Sequence, residues 1–285
     1  MNKKSAYIGN SIVLATMHAK SIAVAPPFLN LLGAEVVESQ IDTDTLGTFS
    51  GEIQRNGSAL ECAKIKCELG MNVTGSQYGL SSEGSFGPHP YIPFLSCDYE
   101  ILYFIDRERD FHLHLSLFSE KTNYNMQSVG SIEELLKFAE KVFFPSHALI
   151  LRPDYKDNKN YIIKGVHTID MLHQAFRDTI KHSTTGKVWV ETDMRAHMNP
   201  SRMKVIQELA GNLAKRLLIL CTRCQTPGWG SIGVKKGLEC NLCGDETELI
   251  KSEIYGCVKC DYTEDLPPSH GLVKADPQYC SYCNP

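Results

Sequence analysis

Four Cys-x-x-Cys pairs crowd the last 65 residues of this chain: Cys221/Cys224, Cys240/Cys243, Cys257/Cys260 and Cys280/Cys283. Two intervening residues let both thiolates of a pair reach one ion while the N–H groups between them turn toward the sulfurs, which is half of a tetrahedral site. Four pairs make two closed sites, so the segment is expected to hold two structural zinc ions. A redox Cys-x-x-Cys stands singly beside a βαβ unit, and disulfide frameworks suit secreted chains; a tail of four pairs matches neither. Only Cys62, Cys67 and Cys97 lie elsewhere. So short a segment cannot build its own core, and metal binding supplies its folding free energy.

Within the tail, 13 residues separate Cys243 from Cys257 and include the β-rich run Glu248-Leu-Ile-Lys-Ser-Glu-Ile-Tyr255. That reads as a zinc ribbon, a hairpin between two knuckles. It assigns Cys240, Cys243, Cys257 and Cys260 to one zinc and Cys221, Cys224, Cys280 and Cys283 to the other, with an interleaved arrangement left open. Residues 221–285 carry six Lys/Arg against nine Asp/Glu, a net −3, and two tetrathiolate zinc sites bring this to about −7. Phosphate backbones are repelled by such a charge, so a protein-docking or structural role is expected ahead of nucleic-acid binding.

The 285-residue chain has a net charge of −4 and a pI near 6.2, so no global positive field draws it to nucleic acid or an anionic membrane. Lys3 and Lys4 open an apolar N-terminal stretch, but His18, Lys20 and Pro26-Pro27 interrupt it, against a signal peptide. No apolar run has the length of a membrane span. A cytoplasmic protein is expected.

Ahead of the tail the pattern alternates. Tyr7–Thr16 reads as a strand and Ser21–Leu32 as a helix, with Pro26 and Pro27 marking a kink or a start. Ala34–Ser39 reads as a strand, and Ser58–Met71 as a helix capped by Ser58. A further strand leads from Tyr78 through Ser82 into the loop Glu83–Pro90. Hairpin strands Tyr99–Asp106 and Phe111–Phe118 follow, then a helix over Ser131–Phe144, strands at His147–Arg152 and Tyr161–Lys164, and a helix over Ile169–His182. A strand Lys187–Asp193, a loop Met194–Pro200 and a helix Ser201–Leu217 complete the series. This order predicts an α/β fold, a mixed sheet flanked by helices over residues 1–218, with a possible subdivision near 145, followed by a small zinc-ribbon-like domain over 219–285.

Two segments stand out for chemistry. Glu83, Ser85 and His89 bring a carboxylate, a hydroxyl and an imidazole into a Gly/Pro-rich stretch beyond a strand, where open α/β sheets bind ligands. The loop after the Lys187–Asp193 strand repeats the design with Asp193, Arg195 and His197. Asp42, Asp44 and Glu83 are hard oxygen donors of the kind magnesium takes alongside phosphate oxygens, although Asp42 and Asp44 equally suit a self-bonded turn. Lys20 can neutralise phosphate, and His18 stands two residues before it.

The run Thr16-x-His18-x-Lys20, then Gly33-Ala-Glu-Val-Val37, then Gly79-Leu-Ser-Ser-Glu83-Gly84 resembles the inosine/xanthosine triphosphatase group of nucleotide hydrolases. The resemblance implies that Lys20 grips a triphosphate and that Glu83 serves at a magnesium site. His18 stands where that group usually has Asn, and Phe86-Gly-Pro-His-Pro90 is not part of its pattern. As a whole, including the cysteine tail, the chain resembles an uncharacterised bacterial family ending in zinc ribbons, which brings no activity with it. Two functions are therefore expected to compete. One is a magnesium-dependent hydrolase of a phosphorylated small molecule, most simply a nucleoside triphosphate, with Glu83, Asp42, Asp44 and Lys20 catalytic and His18, Ser85, His89, Asp193, Arg195 and His197 contacting substrate. The other is a non-catalytic binding or adaptor protein whose tail contacts a protein partner.

Overall fold

A computed structural model describes residues 5–39, 41, 57–90 and 92–285. Asp42 and Asp44 lie outside the described residues.

The strands between Ser11 and Ser119 make a five-stranded sheet in the order β2-β1-β3-β4-β5. β1 (Ser11–Ala15) pairs in parallel with β2 (Glu35–Glu38) and with β3 (Tyr78–Pro88). β3 turns antiparallel onto β4 (Ser96–Asp106), and β4 onto β5 (Phe111–Ser119). Helix α1 (Ser21–Leu32) joins β1 to β2 and ends on Gly33 at φ +66°, a left-handed position that glycine takes without a Cβ clash. The helix runs through Pro26 and Pro27, so the prolines mark neither its start nor its end. α2 (Ala59–Thr74) joins β2 to β3 behind a capping box in which Ser58 accepts from the Glu61 N–H and Glu61 reaches back.

The two helices lie on opposite faces, as the alternation of β1 requires. Ile12 and Leu14 pack with Val24 and Phe28 of α1, whereas Val13 packs with Ala63, Cys67 and Met71 of α2. β1 and β3, both parallel, therefore flank the point where the winding direction reverses, and ligands of open α/β sheets sit beyond the strand ends there.

Residues 126–192 form a second, wholly antiparallel sheet, β6-β9-β7-β8: β6 (Met126–Val129), β7 (Leu149–Pro153), β8 (Ile163–Val166) and β9 (Val188–Thr192). Two amphipathic helices, α3 (Ile132–Lys141) and α4 (Ile169–Lys181), capped by Ser131 and Thr168, cover one face around Leu135, Phe138, Leu149 and Leu172. The short 3-10 turn Ala196–Met198 then hands the chain to α5 (Pro200–Leu218). Asn199 caps α5, and the helix returns to the first sheet, where Ile206, Leu209 and Leu213 join the core beside α1. The 194–202 segment thus runs from the second sheet across the open end of the first.

The tail is a three-stranded antiparallel sheet in the order β10-β11-β12: β10 (Gly230–Lys236), β11 (Ile250–Gly256) and β12 (Thr263–Leu266), with a cysteine turn at each hairpin end. Trp229 is buried at its base and stacks on Tyr262 at 5.2 Å. The chain is therefore a mixed α/β core followed by a cysteine-rich C-terminal region. Among the described residues no helix is long and apolar enough to cross a membrane.

Candidate metal centres and the buried polar cluster

The eight tail cysteines gather into two sets of four whose sulfurs lie within 4.8 Å of one another: Cys221, Cys224, Cys257 and Cys260, and Cys240, Cys243, Cys280 and Cys283. Contacts across the sets are 3.8 Å for Cys221–Cys260, 3.5 Å for Cys224–Cys257, 3.9 Å for Cys240–Cys283 and 3.6 Å for Cys243–Cys280. A tetrahedron of thiolates about 2.3 Å from one ion has edges of about 3.8 Å, so the donor sets fit zinc. Three of the four turns are built alike, with Gln225, Gly244 and Asn284 donating to the carbonyls of Cys221, Cys240 and Cys280, and N–H groups at Leu242, Lys259 and Cys260 point at sulfur. These N–H groups offset charge on thiolates that a bound cation requires.

The pairing corrects the nested assignment. Because β10 and β11 are antiparallel, Gly230 at the start of β10 lies opposite Gly256 at the end of β11. The Cys221/Cys224 and Cys257/Cys260 turns consequently share one end of the ladder. Cys240 and Cys243 sit in the turn at the other end, where β12 delivers the final pair. The sites interleave, separated by seven residues of β10, or about 20 Å.

In the body, the predicted residues divide between two faces of β3. Lys20 follows Ala19, which holds φ +51° at a cost of roughly 1–2 kcal/mol, and its buried ammonium donates to the Ser82 carbonyl at 3.2 Å and Oγ at 3.1 Å. Ser82 points to the α1/α5 side. Glu83, next in the strand, points to the α2 side and pairs with Lys66. Lys20 and Glu83 thus stand on opposite faces of β3, although the Glu83 charge still acts on the Lys20 ammonium. Ser85 alternates onto the Glu83 face, and His89 occupies the β3–β4 turn, its backbone N–H donating to the Leu95 carbonyl.

What does meet Lys20 comes from β4 and α5. Arg202, wholly buried, donates through Nε to Glu100 Oε1 at 2.5 Å and through Nη1 to the Met194 carbonyl at 2.6 Å, and its guanidinium lies 5.2 Å from the centre of the Phe86 ring. Gly84 makes room: a Cβ there would sit 2.5 Å from both Arg202 Nη2 and Glu100 Oε1. Asp98 lies two residues before Glu100 on the same face, and its oxygens meet no hydrogen-bond donor among the described residues. Burial and the neighbouring Glu100 raise its pKa, so the neutral acid, able to donate to Glu100, is favoured. Burial and the nearby Arg202 push the Lys20 ammonium down to about 8.

At the mouth of this cluster the His18 and His197 rings lie 5.2 Å apart. Burial first, then Lys20, His197, Arg202 and Arg195, push His18 down to about 3, and burial and Arg195 lower His197, so both imidazoles are neutral near pH 7. Arg195 forks onto buried Asp193 at 2.6 to 3.2 Å, while Asp193 also accepts from the Gly165 N–H. The second loop thus meets the β1 turn through His197, and its Asp193–Arg195 pair is an internal brace.

A mixed α/β body carrying two four-cysteine metal-ligand clusters defines the class. A family profile described as a domain of unknown function, DUF6671, matches residues 66–285, and the chain belongs to that family. The match takes in β3, β4, α5 and every tail cysteine and begins after His18 and Lys20. No match was found among curated proteins or among solved structures.

Proposed function

We propose that this protein is a non-catalytic binding or adaptor protein whose tail, a zinc-ribbon-like module holding two zinc ions, contacts another protein. The observation that carries the reading is the pair of four-cysteine clusters set at opposite ends of one small sheet. Metal held in closed thiolate sites stabilises a fold and leaves no open position for chemistry. Its net negative charge favours a protein over a nucleic acid as partner. Reduced thiolates in such number suit a reducing compartment, which supports a cytoplasmic location. In-cell cross-linking of the full chain, compared with the Cys240→Ser and Cys257→Ser variants, tests the reading: a partner lost with either cysteine supports it, and cross-links indifferent to both variants count against it.

A second reading, a magnesium-dependent phosphohydrolase, draws support from one arrangement. Lys20 lies at the carboxyl end of β1, at the switch point, with His18, His197 and Arg202 around it. The separation of Lys20 from Glu83 weighs against it. Phosphate release from a nucleoside triphosphate panel with magnesium decides the matter. Turnover lost in both Lys20→Met and Glu83→Gln favours the hydrolase, and absence of turnover favours the adaptor.

A further inference from the structure

We propose that the outer end of the tail, formed by the Cys240/Cys243 and Cys280/Cys283 turns, docks a basic protein segment carrying an apolar anchor residue. The proposal rests on the adaptor reading and names the face and the chemistry of its partner. The two metal ends are built differently. At the inner end the third residues of the cysteine turns are Arg223 and Lys259. Val258 packs on the main core of the body, Lys259 donates to the Arg109 carbonyl, and Arg216 of α5 donates to the Gly228 and Ser231 carbonyls. That end is anchored.

At the outer end the corresponding residues are Leu242 and Tyr282, 73% and 74% exposed. Val273 and Tyr279 beside them are 84% and 55% exposed. Among the described residues, the hydrogen bonds and ion pairs of 237–249 and 268–285 all stay within the tail. Clustered exposed apolar and aromatic groups on a rigid frame mark interaction surfaces, and tyrosine is enriched at them. Four sulfurs on one ion hold both turns in place, so little ordering entropy opposes docking.

Charge names the partner. Residues 236–251 and 268–285 hold three lysines against five acids, and a tetrathiolate zinc adds −2, giving about −4. Lys236, Lys251 and Lys274 are already engaged with Glu248, Glu239 and Glu246. A partner with Lys or Arg flanking a Leu- or Phe-like anchor matches both the acidic rim and the apolar tip, whereas a nucleic acid meets repulsion.

The test is selection of a randomised displayed peptide library on the full-length, zinc-loaded protein, repeated with Leu242→Ser/Tyr282→Ser and with Arg223→Ser. Both changed positions of the double variant are solvent-exposed, and a retained count of two metals per chain verifies its fold. The expected result is enrichment of net-positive peptides with a bulky apolar residue, weakening with salt, at least tenfold weaker on the double variant and unchanged on Arg223→Ser. Enriched peptides that bind the double variant equally overturn the docking face and leave the adaptor reading standing. Neutral or acidic peptides dependent on Leu242 and Tyr282, or retention of single-stranded DNA there, overturn the basic-partner assignment. No enrichment on any part of the chain overturns both.

Discussion

The contact between Arg202 and Glu100 exists because residue 84 has no side chain. A methyl group at that position would stand 2.5 Å from a guanidinium nitrogen and from a carboxylate oxygen, both wholly buried. Gly84→Ala must therefore displace a charged pair that has nowhere in the interior to relocate, and a loss of about 1–3 kcal/mol is expected in urea titrations. Stability within a few tenths of the native value would show that the pair moves freely. Asp98, on the same face, gives a pH signature. Its pKa is raised in the folded protein, so the native state keeps a proton that the unfolded chain has released. Stability from this group is present below about pH 4 and drains away as pH climbs toward about 8. Asp98→Asn removes the ionisation, so the variant is expected to gain on the native protein by on the order of 1–3 kcal/mol between those limits. Parallel stability curves for the two proteins would refute the assignment.

Among the secondary elements, the helices with clear caps and 3.6-residue periods were legible, as were the hairpin strands and the metal-binding character of the tail. Ser58 and the apolar stripe of α2 show why: local capping and periodicity agree with the final packing. β3 was legible only to Ser82, because Gly84, Gly87 and Pro88 read as loop, yet pairing with β4 carries the strand to Pro88. The glycine is there for Arg202, which local sequence cannot reveal. Asp98 and Glu100 left a usable signal, two acids spaced to continue the buried face of Leu102 and Phe104, whereas nothing near α5 announced Arg202 as their partner. The cysteine pairing was illegible for a different reason, since spacing fixes the bite of each pair and strand direction decides which pairs meet. Metal content separates the possibilities. Cys221→Ser/Cys257→Ser removes two ligands from a single site and is expected to retain one zinc per chain, whereas Cys221→Ser/Cys280→Ser damages both sites and is expected to retain none. Nested pairing gives the reverse result.

For the molecule as a whole, body and tail draw on different sources of stability. The body buries two extensive apolar cores, one under α1 and α5 and one under α3 and α4, and neither contains a metal ligand. The tail buries few apolar side chains, chiefly Trp229, Leu238, Ala275 and the cysteines Cys221, Cys240 and Cys280. A structural zinc contributes apparent binding free energies of about 10–16 kcal/mol at neutral pH, more than so small an apolar core supplies. Its coupling to the body runs through a few contacts: Val258 and Gly228 near Leu113, Lys259 on the Arg109 carbonyl, and Arg216 on the β10 backbone. Chelation is therefore expected to melt residues 219–285 while the body keeps its helical circular dichroism, with the first proteolytic cuts mapping beyond α5 and resistance restored by added zinc. Because Cys221 lies only three residues beyond the end of α5, fraying should extend no further than the last turn of that helix, where Leu217 remains in the body's core. Loss of the body's helical signal in step with the tail, or a tail that resists protease after metal removal, would show that the two parts share one source of stability.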